Sequence, residues 1–361
     1  MQTPLPEQGV HGGQVHTYAQ ALGLQPSDFL DFSANINPVI PEVDWSKVTQ
    51  ATASSLPNYP PHRPSDDTLT ALLAQRFAMP VEYVQLCPAI SLTLHLLFAA
   101  LRPQHTVLFT PIYGEYWQAA KRYSTYLIDY SVPANQWCPK QHPIPKHALV
   151  VLVNPSTPQG HFIAPQAWQA LFAAVQASEA WLLVDEAFLP FIGLASHLSA
   201  RQWIGHYSRL IVLQSLTKFY ACPGVRLGVL FCQKPLAALN AIPWPLSTFD
   251  RLWMIEALQD STHAANSWAH LAAARRTFLP QLAALPWVKQ ILPGTVNFVL
   301  LELSQPAEKI AQTLMTQRIL TRPVHSFGLS PYHLRLAIKS REANQQLLQT
   351  CQTLESELCS I

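Results

Sequence analysis

Short apolar runs that alternate with helix-like patterns are the feature that most restricts what this chain can fold into. Five such runs, each bounded by turn residues, are Thr106 to Thr110, Ala148 to Val153, Ala180 to Val184, Leu210 to Leu213 and Gly228 to Phe231. They are apolar on both faces, which is typical of buried parallel strands. The alternation therefore predicts an α/β fold around a mostly parallel central sheet.

Helix-like spacing of apolar residues separates these runs. It occurs at Gln14 to Leu22, Ser65 to Phe77, Leu92 to Leu101, Glu115 to Tyr123, Pro165 to Gln176, Phe249 to Leu285, Ala307 to Gln317 and Arg341 to Leu354. After about Pro243 the pattern changes to long helices, followed by strand-like runs at Asn297 to Leu303 and His333 to Ile338. We therefore expect a large domain over 46–243 and a smaller α+β domain over 244–361, with 1–45 forming an N-terminal arm and part of the small domain.

Charge and composition exclude several classes of protein. Lys plus Arg number 23 and Asp plus Glu number 21, so there is no strong field to attract nucleic acid or an anionic membrane. No apolar stretch approaches the roughly 18 to 20 residues of a membrane helix, and Met1 to Val10 lacks the pattern of a secretion signal. The six cysteines have no metal-site spacing. We expect a cytoplasmic protein with reduced thiols and no metal site.

Polar residues gather where three predicted strands end. Asn154 follows one apolar run, Asp185 follows the next, and Ser215, Thr217 and Lys218 follow a third. Ligands of open α/β sheets bind outside the carboxyl ends of the strands. We therefore expect the chemistry of the chain at this edge of the sheet.

The residue types at these strand ends suit a carbonyl cofactor. Lys218 lies in a segment with little other charge, and a neutral lysine amine is a nucleophile that reacts with carbonyl cofactors such as pyridoxal phosphate. Asp185 can pair with a protonated pyridine nitrogen, and Asn154 can donate to a ring oxygen. Taken singly, Lys218 also fits an ordinary loop lysine, Asp185 a helix cap or turn, and Asn154 a Pro/Gly turn. Their order along successive strands favours the cofactor.

Three motifs connect the chain to a known family. They are Asn154-Pro-x-x-Pro-x-Gly160, Asp185-Glu-Ala, and Ser215-x-x-Lys218 with Arg226 eight residues further on. In order and spacing they resemble the fold-type I pyridoxal-phosphate enzymes of the aminotransferase class I/II family, and the resemblance covers nearly the whole chain. It implies a large domain with a mostly parallel central sheet and a smaller α+β domain.

The resemblance also implies a role for each matching residue. Lys218 would hold the cofactor covalently, Asp185 would pair with its pyridine nitrogen, and Asn154 would contact its ring hydroxyl. The cofactor phosphate would be bound by Ser215, Thr217 and Arg226.

Two tyrosines and one arginine match further family positions. In Pro111-Ile-Tyr113-Gly-Glu-Tyr116, one tyrosine is implied to stack on the cofactor; we favour Tyr116, and Tyr113 remains the alternative. Arg335 lies in an apolar strand and matches the arginine that binds the substrate α-carboxylate through a bidentate pair.

Two segments of the N-terminal third, together with the lysine motif, resemble one group within the family, the threonine-phosphate decarboxylases of cobalamin biosynthesis. The similar segments are His11-Gly12-Gly13, Leu30 to Pro38, and the lysine motif itself. Histidinol-phosphate aminotransferases usually have Tyr where Phe188 stands and lack the His-Gly-Gly opening. The implied substrate-binding residues are Asn35, His11 and Arg335. Arg322 is a candidate for a second anion-binding residue, and its alternative interpretation is an ordinary solvated arginine.

The same resemblance implies a homodimer with shared active sites. Tyr59, in Asn58-Tyr59-Pro60, would reach the cofactor phosphate of a neighbouring subunit. The other partner would be a small phosphorylated amino acid.

One segment departs from the family pattern. The family places a glycine-rich turn around the cofactor phosphate, but Leu86 to Ser91 contains no glycine. Backbone donors of Ala89, Ile90 and Ser91 remain available. We expect decarboxylation of L-threonine O-3-phosphate to (R)-1-amino-2-propanol O-2-phosphate. The alternatives are a histidinol-phosphate-like aminotransferase and a non-catalytic relative of the same fold.

Overall fold

The computed structural model describes residues 11–61, 67–234, 236 and 243–355. Its strands are β1 (Leu30–Asp31), β2 (Val84–Pro88), β3 (His105–Phe109), β4 (Tyr126–Tyr130), β5 (Leu149–Val153), β6 (Trp181–Asp185), β7 (Leu210–Ser215), β8 (Leu227–Cys232), β9 (Val288–Ile291), β10 (Phe298–Leu303), β11 (Ile319–Leu320), β12 (Arg322–Pro323) and β13 (His333–Ala337).

Most of the α-helices follow the predicted amphipathic segments, but residues 45–55 form a helix in a stretch where the sequence pattern predicted none. The helices are α1 (Val15–Leu22), α2 (Trp45–Ser55), α3 (Thr68–Arg76), α4 (Ile90–Leu101), α5 (Gly114–Tyr123), α6 (Gln169–Ala177), α7 (Thr248–Gln259), α8 (His263–Ala283), α9 (Ala307–Thr316) and α10 (Arg341–Thr353). Polar side chains cap several of them; Asp67 accepts from the Leu69 amide at the start of α3. Residues 65 and 66 of the predicted helix Ser65 to Phe77 lie outside the described residues.

The larger compact unit comprises residues 40–157 and 162–266. Its seven-stranded sheet has the order β2-β8-β7-β6-β5-β3-β4. Pairing is parallel among β4, β3, β5, β6 and β7. Apolar side chains of α4 and α5 pack with those of the strands, and the resulting core includes Phe98, Leu108, Val151, Leu183 and Leu213. The predicted α/β fold with a mostly parallel sheet is confirmed.

The smaller unit comprises residues 1–39, 158–161 and 267–361. It contains an antiparallel four-stranded sheet of order β12-β13-β10-β9, and a parallel pair between β1 and β11. Helix α1 packs against this pair through Tyr18, with Phe29, Met315 and Leu320 in the same apolar cluster. These two compact units are divided near 39/40 and 266/267, whereas the domain boundaries expected from the sequence, 45/46 and 243/244, remain predictions.

Two sequence predictions need correction. The run Gly228 to Phe231 was expected to be a parallel strand, but β8 is antiparallel to both β2 and β7. The long pattern from Phe249 to Leu285 is two helices, because Asp260 accepts from the amides of Thr262 and His263 and breaks the helical hydrogen bonding. Among the described residues, no helix is both long and apolar enough to cross a membrane.

Candidate functional site

Strand register brings the predicted cofactor residues to one edge of the seven-stranded sheet. Asp185, the last residue of β6, pairs with Val153 on one side and Leu213 on the other. Ser215, at the end of β7, lies opposite Gly228, which in turn lies opposite Cys87 of β2. We call this row of strand ends the carboxyl edge; it is lined by the segments that follow β2, β3, β5, β6 and β7 and that precede β8.

Asp185 is held in one orientation by two donors. The Tyr116 hydroxyl donates to Oδ2 at 2.8 Å, and the Ala187 amide donates to Oδ1 at 2.9 Å. Burial raises the pKa of Asp185, whereas these two hydrogen bonds and the charge of Lys218 lower it. The carboxylate is therefore a buried, oriented acceptor, as a ring-nitrogen partner would be.

The burial of the two tyrosines favours Tyr113 over Tyr116, the residue preferred from the sequence, as the ring that stacks on the cofactor. Tyr116 is fully buried, and its hydroxyl is used in donating to the Asp185 carboxylate. The Tyr113 ring contacts the Tyr116 ring edge-on, with centroids 6.3 Å apart and planes at 81°. Tyr113 is only partly buried, and desolvation raises its pKa to about 12. Tyr113 is therefore the better candidate for stacking on a ligand ring.

Lys218 lies in the turn that follows β7 and is partly buried. Its Nζ is 5.2 Å from the centroid of the Phe188 ring, within the range of a cation–π contact. Phe188 follows the end of β6, so the lysine amine and the Asp185 carboxylate belong to neighbouring strand ends.

Hydroxyl and guanidinium groups cluster at the β7 and β8 end of the carboxyl edge. Ser215 Oγ and Thr217 Oγ1 are 3.0 Å apart and both residues are buried. Arg226 is exposed, and its Nη2 donates to Ser91 Oγ at 3.5 Å. These residues therefore form a set of donors that suits a phosphate group.

The glycine-free segment Leu86 to Ser91 offers fewer backbone donors to a ligand than the three expected from Ala89, Ile90 and Ser91. The Ala89 amide donates to the Arg226 carbonyl at 3.0 Å, so it is already used. The amides of Leu92 and Thr93 donate to the Ala89 carbonyl. Within the described chain, the amides of Ile90 and Ser91 at the start of α4 have no backbone acceptor, which leaves them available for an anion.

Gly228 leaves space for the side chain of Ile90, which lies in the segment where the family has a glycine-rich turn. A Cβ at this position would lie 2.6 Å from Ile90 Cδ1 and 3.2 Å from Cys87 Sγ. The start of α4 therefore sits against the glycine of the facing strand, and the sequence reasoning did not anticipate this pairing.

Asn154 is fixed by two hydrogen bonds to one residue. Its Nδ2 donates to the Ile163 carbonyl at 2.7 Å, and its Oδ1 accepts from the Ile163 amide at 3.0 Å. An amide nitrogen carries two hydrogens, so Nδ2 keeps one for a ligand oxygen.

In the smaller unit, the His-Gly-Gly motif packs on the segment after β1. A Cβ on Gly12 would lie 2.4 Å from the Ser33 carbonyl oxygen, so only glycine fits there. The Gly13 amide donates to Ser33 Oγ at 2.8 Å, and this hydroxyl donates to Asp31 Oδ1 at 2.5 Å. The two N-terminal motifs therefore form one substructure, which positions His11.

Two buried arginines lie directly opposite each other in the smaller unit. Arg322 of β12 pairs with Arg335 of β13, and their exposed fractions are 4% and 8%. Arg322 donates to Ser326 Oγ at 2.9 Å, and Arg335 donates to the Ser33 carbonyl at 3.0 Å. Opposite residues of an antiparallel pair share a face. The interpretation of Arg322 as a solvated arginine is therefore wrong.

Electrostatics make this arginine pair a candidate site for anions. Burial and the charge of Arg322 lower the pKa of Arg335 to about 9, and Asp31 opposes this shift. Burial also lowers the pKa of Arg322, against the effect of Glu308. Two like charges held together at low exposure are stabilised when an anion binds them.

A small open cleft is lined by Arg322 and also by His11, Gln14, Tyr18, Ser33 and Thr321. Tyr18 and Thr321 were not predicted, because no motif marks an aromatic residue on α1 or a threonine between two strands. Asn35 is buried, and its carbonyl accepts from the Asn297 side chain at 3.0 Å. Asn35 and Arg335 are not among the residues that line this cleft.

Tyr59 belongs to the larger unit, and its side chain is exposed to solvent instead of buried. It is 77% exposed, and its ring stacks on Trp244 with centroids 4.1 Å apart. An exposed aromatic pair of this kind is a feature of interaction surfaces.

Comparison with known proteins gives the same family as the motifs. A curated threonine-phosphate decarboxylase of Salmonella typhimurium is 29% identical over 94% of each chain. One from Sinorhizobium sp. is also 29% identical, over 94% of this chain and 96% of the other. The crystal structure of histidinol-phosphate aminotransferase from Clostridium acetobutylicum shares the fold, with a TM-score of 0.81, 24% identity, and coverage of 91% and 99%. The family model of aminotransferase class I and II matches residues 27–351, and the chain belongs to that family.

Proposed function

We propose that the protein decarboxylates L-threonine O-3-phosphate with the help of pyridoxal phosphate. The product would be (R)-1-amino-2-propanol O-2-phosphate, for cobalamin biosynthesis. The observation that carries the proposal is the buried pair Arg322 and Arg335, since this substrate carries two anionic groups, a carboxylate and a phosphate. The names of the two curated relatives support the same substrate.

The carboxyl edge fits pyridoxal phosphate. Asp185 offers an oriented acceptor to the pyridine nitrogen, and Asn154 keeps one N–H for the ring oxygen. Tyr113 would stack on the ring. The donors for the phosphate would be Ser215, Thr217, Arg226, Ser91 and the amide of Ile90.

When bound, pyridoxal phosphate supplies an electron sink for a bond that breaks at the substrate α-carbon. Lys218 would hold the cofactor through its amine before the substrate arrives, and would then hold the proton that is delivered to the α-carbon. Asp185, whose ionised form is favoured by the hydrogen bonds from Tyr116 and Ala187 against the effect of burial, would stabilise a protonated ring nitrogen.

The smaller unit would orient the substrate. Arg335 would bind the carboxylate, and His11 and Arg322 would bind the phosphate, with Asn35 over the substrate. Because orientation determines whether the carboxylate or the hydrogen leaves the α-carbon, these contacts would select decarboxylation over amino transfer. Phe188, which contacts Lys218, has no hydroxyl to donate to the amine or to the cofactor.

We further propose a cytoplasmic homodimer in which Tyr59 reaches the cofactor phosphate of the neighbouring subunit. The exposure of Tyr59 and its stacking on Trp244 support a role for this surface in association.

The function is tested by incubating the cofactor-loaded protein with L-threonine O-3-phosphate in the absence of a keto acid. We expect carbon dioxide and the amine product in equal amounts over many turnovers. The Lys218→Ala variant should release neither and should lose the visible absorbance of the bound cofactor. Failure of the unmodified protein to retain pyridoxal phosphate would instead support a non-catalytic relative.

A further inference from the structure

Thr321 is a polar residue in the cleft of the smaller unit that none of the recognised motifs includes. It lies between β11 and β12, where the chain passes from the parallel strand pair to the four-stranded sheet. The residue is 5% exposed, and its Oγ1 is shielded from water with no hydrogen-bond partner among the described residues. Arg322, the next residue, lines the same cleft.

A buried hydroxyl without a partner destabilises the folded chain. Valine has nearly the same shape and would fill this position without that cost. A change of χ1 rotamer moves a threonine hydroxyl to the place of its methyl group, so Oγ1 can turn towards a ligand in the cleft. The hydroxyl at position 321 is therefore unfavourable in the free protein and favourable once an acceptor binds there.

We infer that Thr321 is a specificity-determining residue, whose hydroxyl donates to an oxygen of the phosphate monoester bound by Arg322. This inference rests on the proposed function, which gives the substrate a phosphate. Arg322, Tyr18 and His11 line the cleft together with Thr321. A phosphate accepts donors at three terminal oxygens in different directions, whereas a carboxylate offers two oxygens in one plane. The several polar and cationic side chains that line the cleft suit the phosphate.

The test compares two amines that differ only in a phosphate, O-phosphoethanolamine and ethanolamine, neither of which has a carboxylate to lose. Binding to the cofactor-loaded protein is measured by calorimetry in a buffer free of phosphate. Thr321→Val should weaken O-phosphoethanolamine binding about ten- to hundredfold and leave ethanolamine binding unchanged. Without ligand, the same variant should unfold at an equal temperature or roughly 1 to 3 °C higher. Thr321→Ser, which keeps the hydroxyl, should retain most of the affinity.

Three results would overturn the inference: an unchanged affinity of Thr321→Val for O-phosphoethanolamine, an equal loss of affinity for both amines, or an equal loss in Thr321→Val and Thr321→Ser. The measurement does not depend on turnover. If phosphate binding depends on Thr321 but L-threonine O-3-phosphate is not decarboxylated, the proposed reaction fails and the role of Thr321 stands.

Discussion

At the scale of single residues, the site depends on buried charges that are held by hydrogen bonds to neutral groups. Asp185 is oriented by Tyr116 and Ala187, and Arg335 is anchored to the Ser33 carbonyl. Sequence motifs identified both charged residues, because their types and positions are specific to the chemistry. The role of Tyr116 could not be read in the same way, since a hydroxyl that supports a carboxylate 69 positions away leaves no local pattern.

Removal of the Tyr116 hydroxyl should disturb catalysis through Asp185. Tyr116→Phe deletes a hydrogen bond that lowers the pKa of Asp185, so this pKa should rise further. We expect kcat/KM to fall about tenfold and its acidic limb to move to higher pH. The pH dependence of the cofactor absorbance should shift in the same direction.

Tyr113→Phe is the matched control, because it leaves the bond between Tyr116 and Asp185 intact. Its acidic limb should stay in place. An identical pH shift in both variants would contradict the assignment of Tyr116 to Asp185.

Glu186 should make the stability of the free protein depend on pH. Burial raises its pKa from 4.5 to about 7, although Arg201, Ser199 and Ala200 oppose the shift. Between these two values the folded chain keeps a proton that the unfolded chain has released, so stability falls as pH rises through this window and levels off above about 7. The fall attributable to this group is at most about 3 kcal/mol.

Glu186→Gln should remove this decline, and urea unfolding at pH 5 and pH 7.5 would measure it. Glu82→Gln, at an exposed position, serves as the control and should keep the slope of the unmodified protein. Equal slopes in the two variants would show that Glu186 does not cause the decline.

At the scale of elements, sequence patterns predicted long amphipathic helices and fully apolar strands well. Strands β1, β2, β4, β9, β11 and β12 were not predicted. Strands β1, β11 and β12 have only two residues each, Val84–Pro88 contains polar Gln85 and ends in proline, and Tyr126–Tyr130 contains exposed positions. The antiparallel direction of β8 was also missed, because a strand that is apolar on both faces has the same pattern in either direction.

The contact between α4 and β8 should control cofactor binding. Gly228→Ala places a methyl group 2.6 Å from Ile90 Cδ1 and 3.2 Å from Cys87 Sγ, so the Ile90 side chain must shift at the first residue of α4. Because the amides of Ile90 and Ser91 are proposed phosphate donors, the Kd for pyridoxal phosphate should rise about tenfold or more. Titration of the cofactor absorbance would measure the change.

A second substitution tests whether space is the cause. Ile90→Ala together with Gly228→Ala removes the clashing side chain and should recover part of the affinity. If the double variant binds pyridoxal phosphate no better than Gly228→Ala alone, the steric explanation is wrong.

At the scale of the whole molecule, the proposed shared active site can be tested by mixing subunits. Lys218→Ala keeps Tyr59, and Tyr59→Ala keeps Lys218, so each variant alone should have little activity. In mixed dimers, one of the two sites would combine an intact Lys218 with an intact Tyr59 from the other subunit. Unfolding and refolding the two variants together should restore up to about a quarter of full activity. Activity no higher than the average of the separate variants would contradict a shared site.

The central claim is that the chain removes the carboxylate of a phosphorylated amino acid instead of transferring its amino group. The most direct measurement offers the loaded protein L-threonine O-3-phosphate labelled with ¹³C in the carboxylate, histidinol phosphate and 2-oxoglutarate in one tube, and follows the products by NMR. We predict labelled carbon dioxide and aminopropanol phosphate, with 2-oxoglutarate unchanged. Glutamate formed from histidinol phosphate, without labelled carbon dioxide, would contradict the account and assign the site to amino transfer.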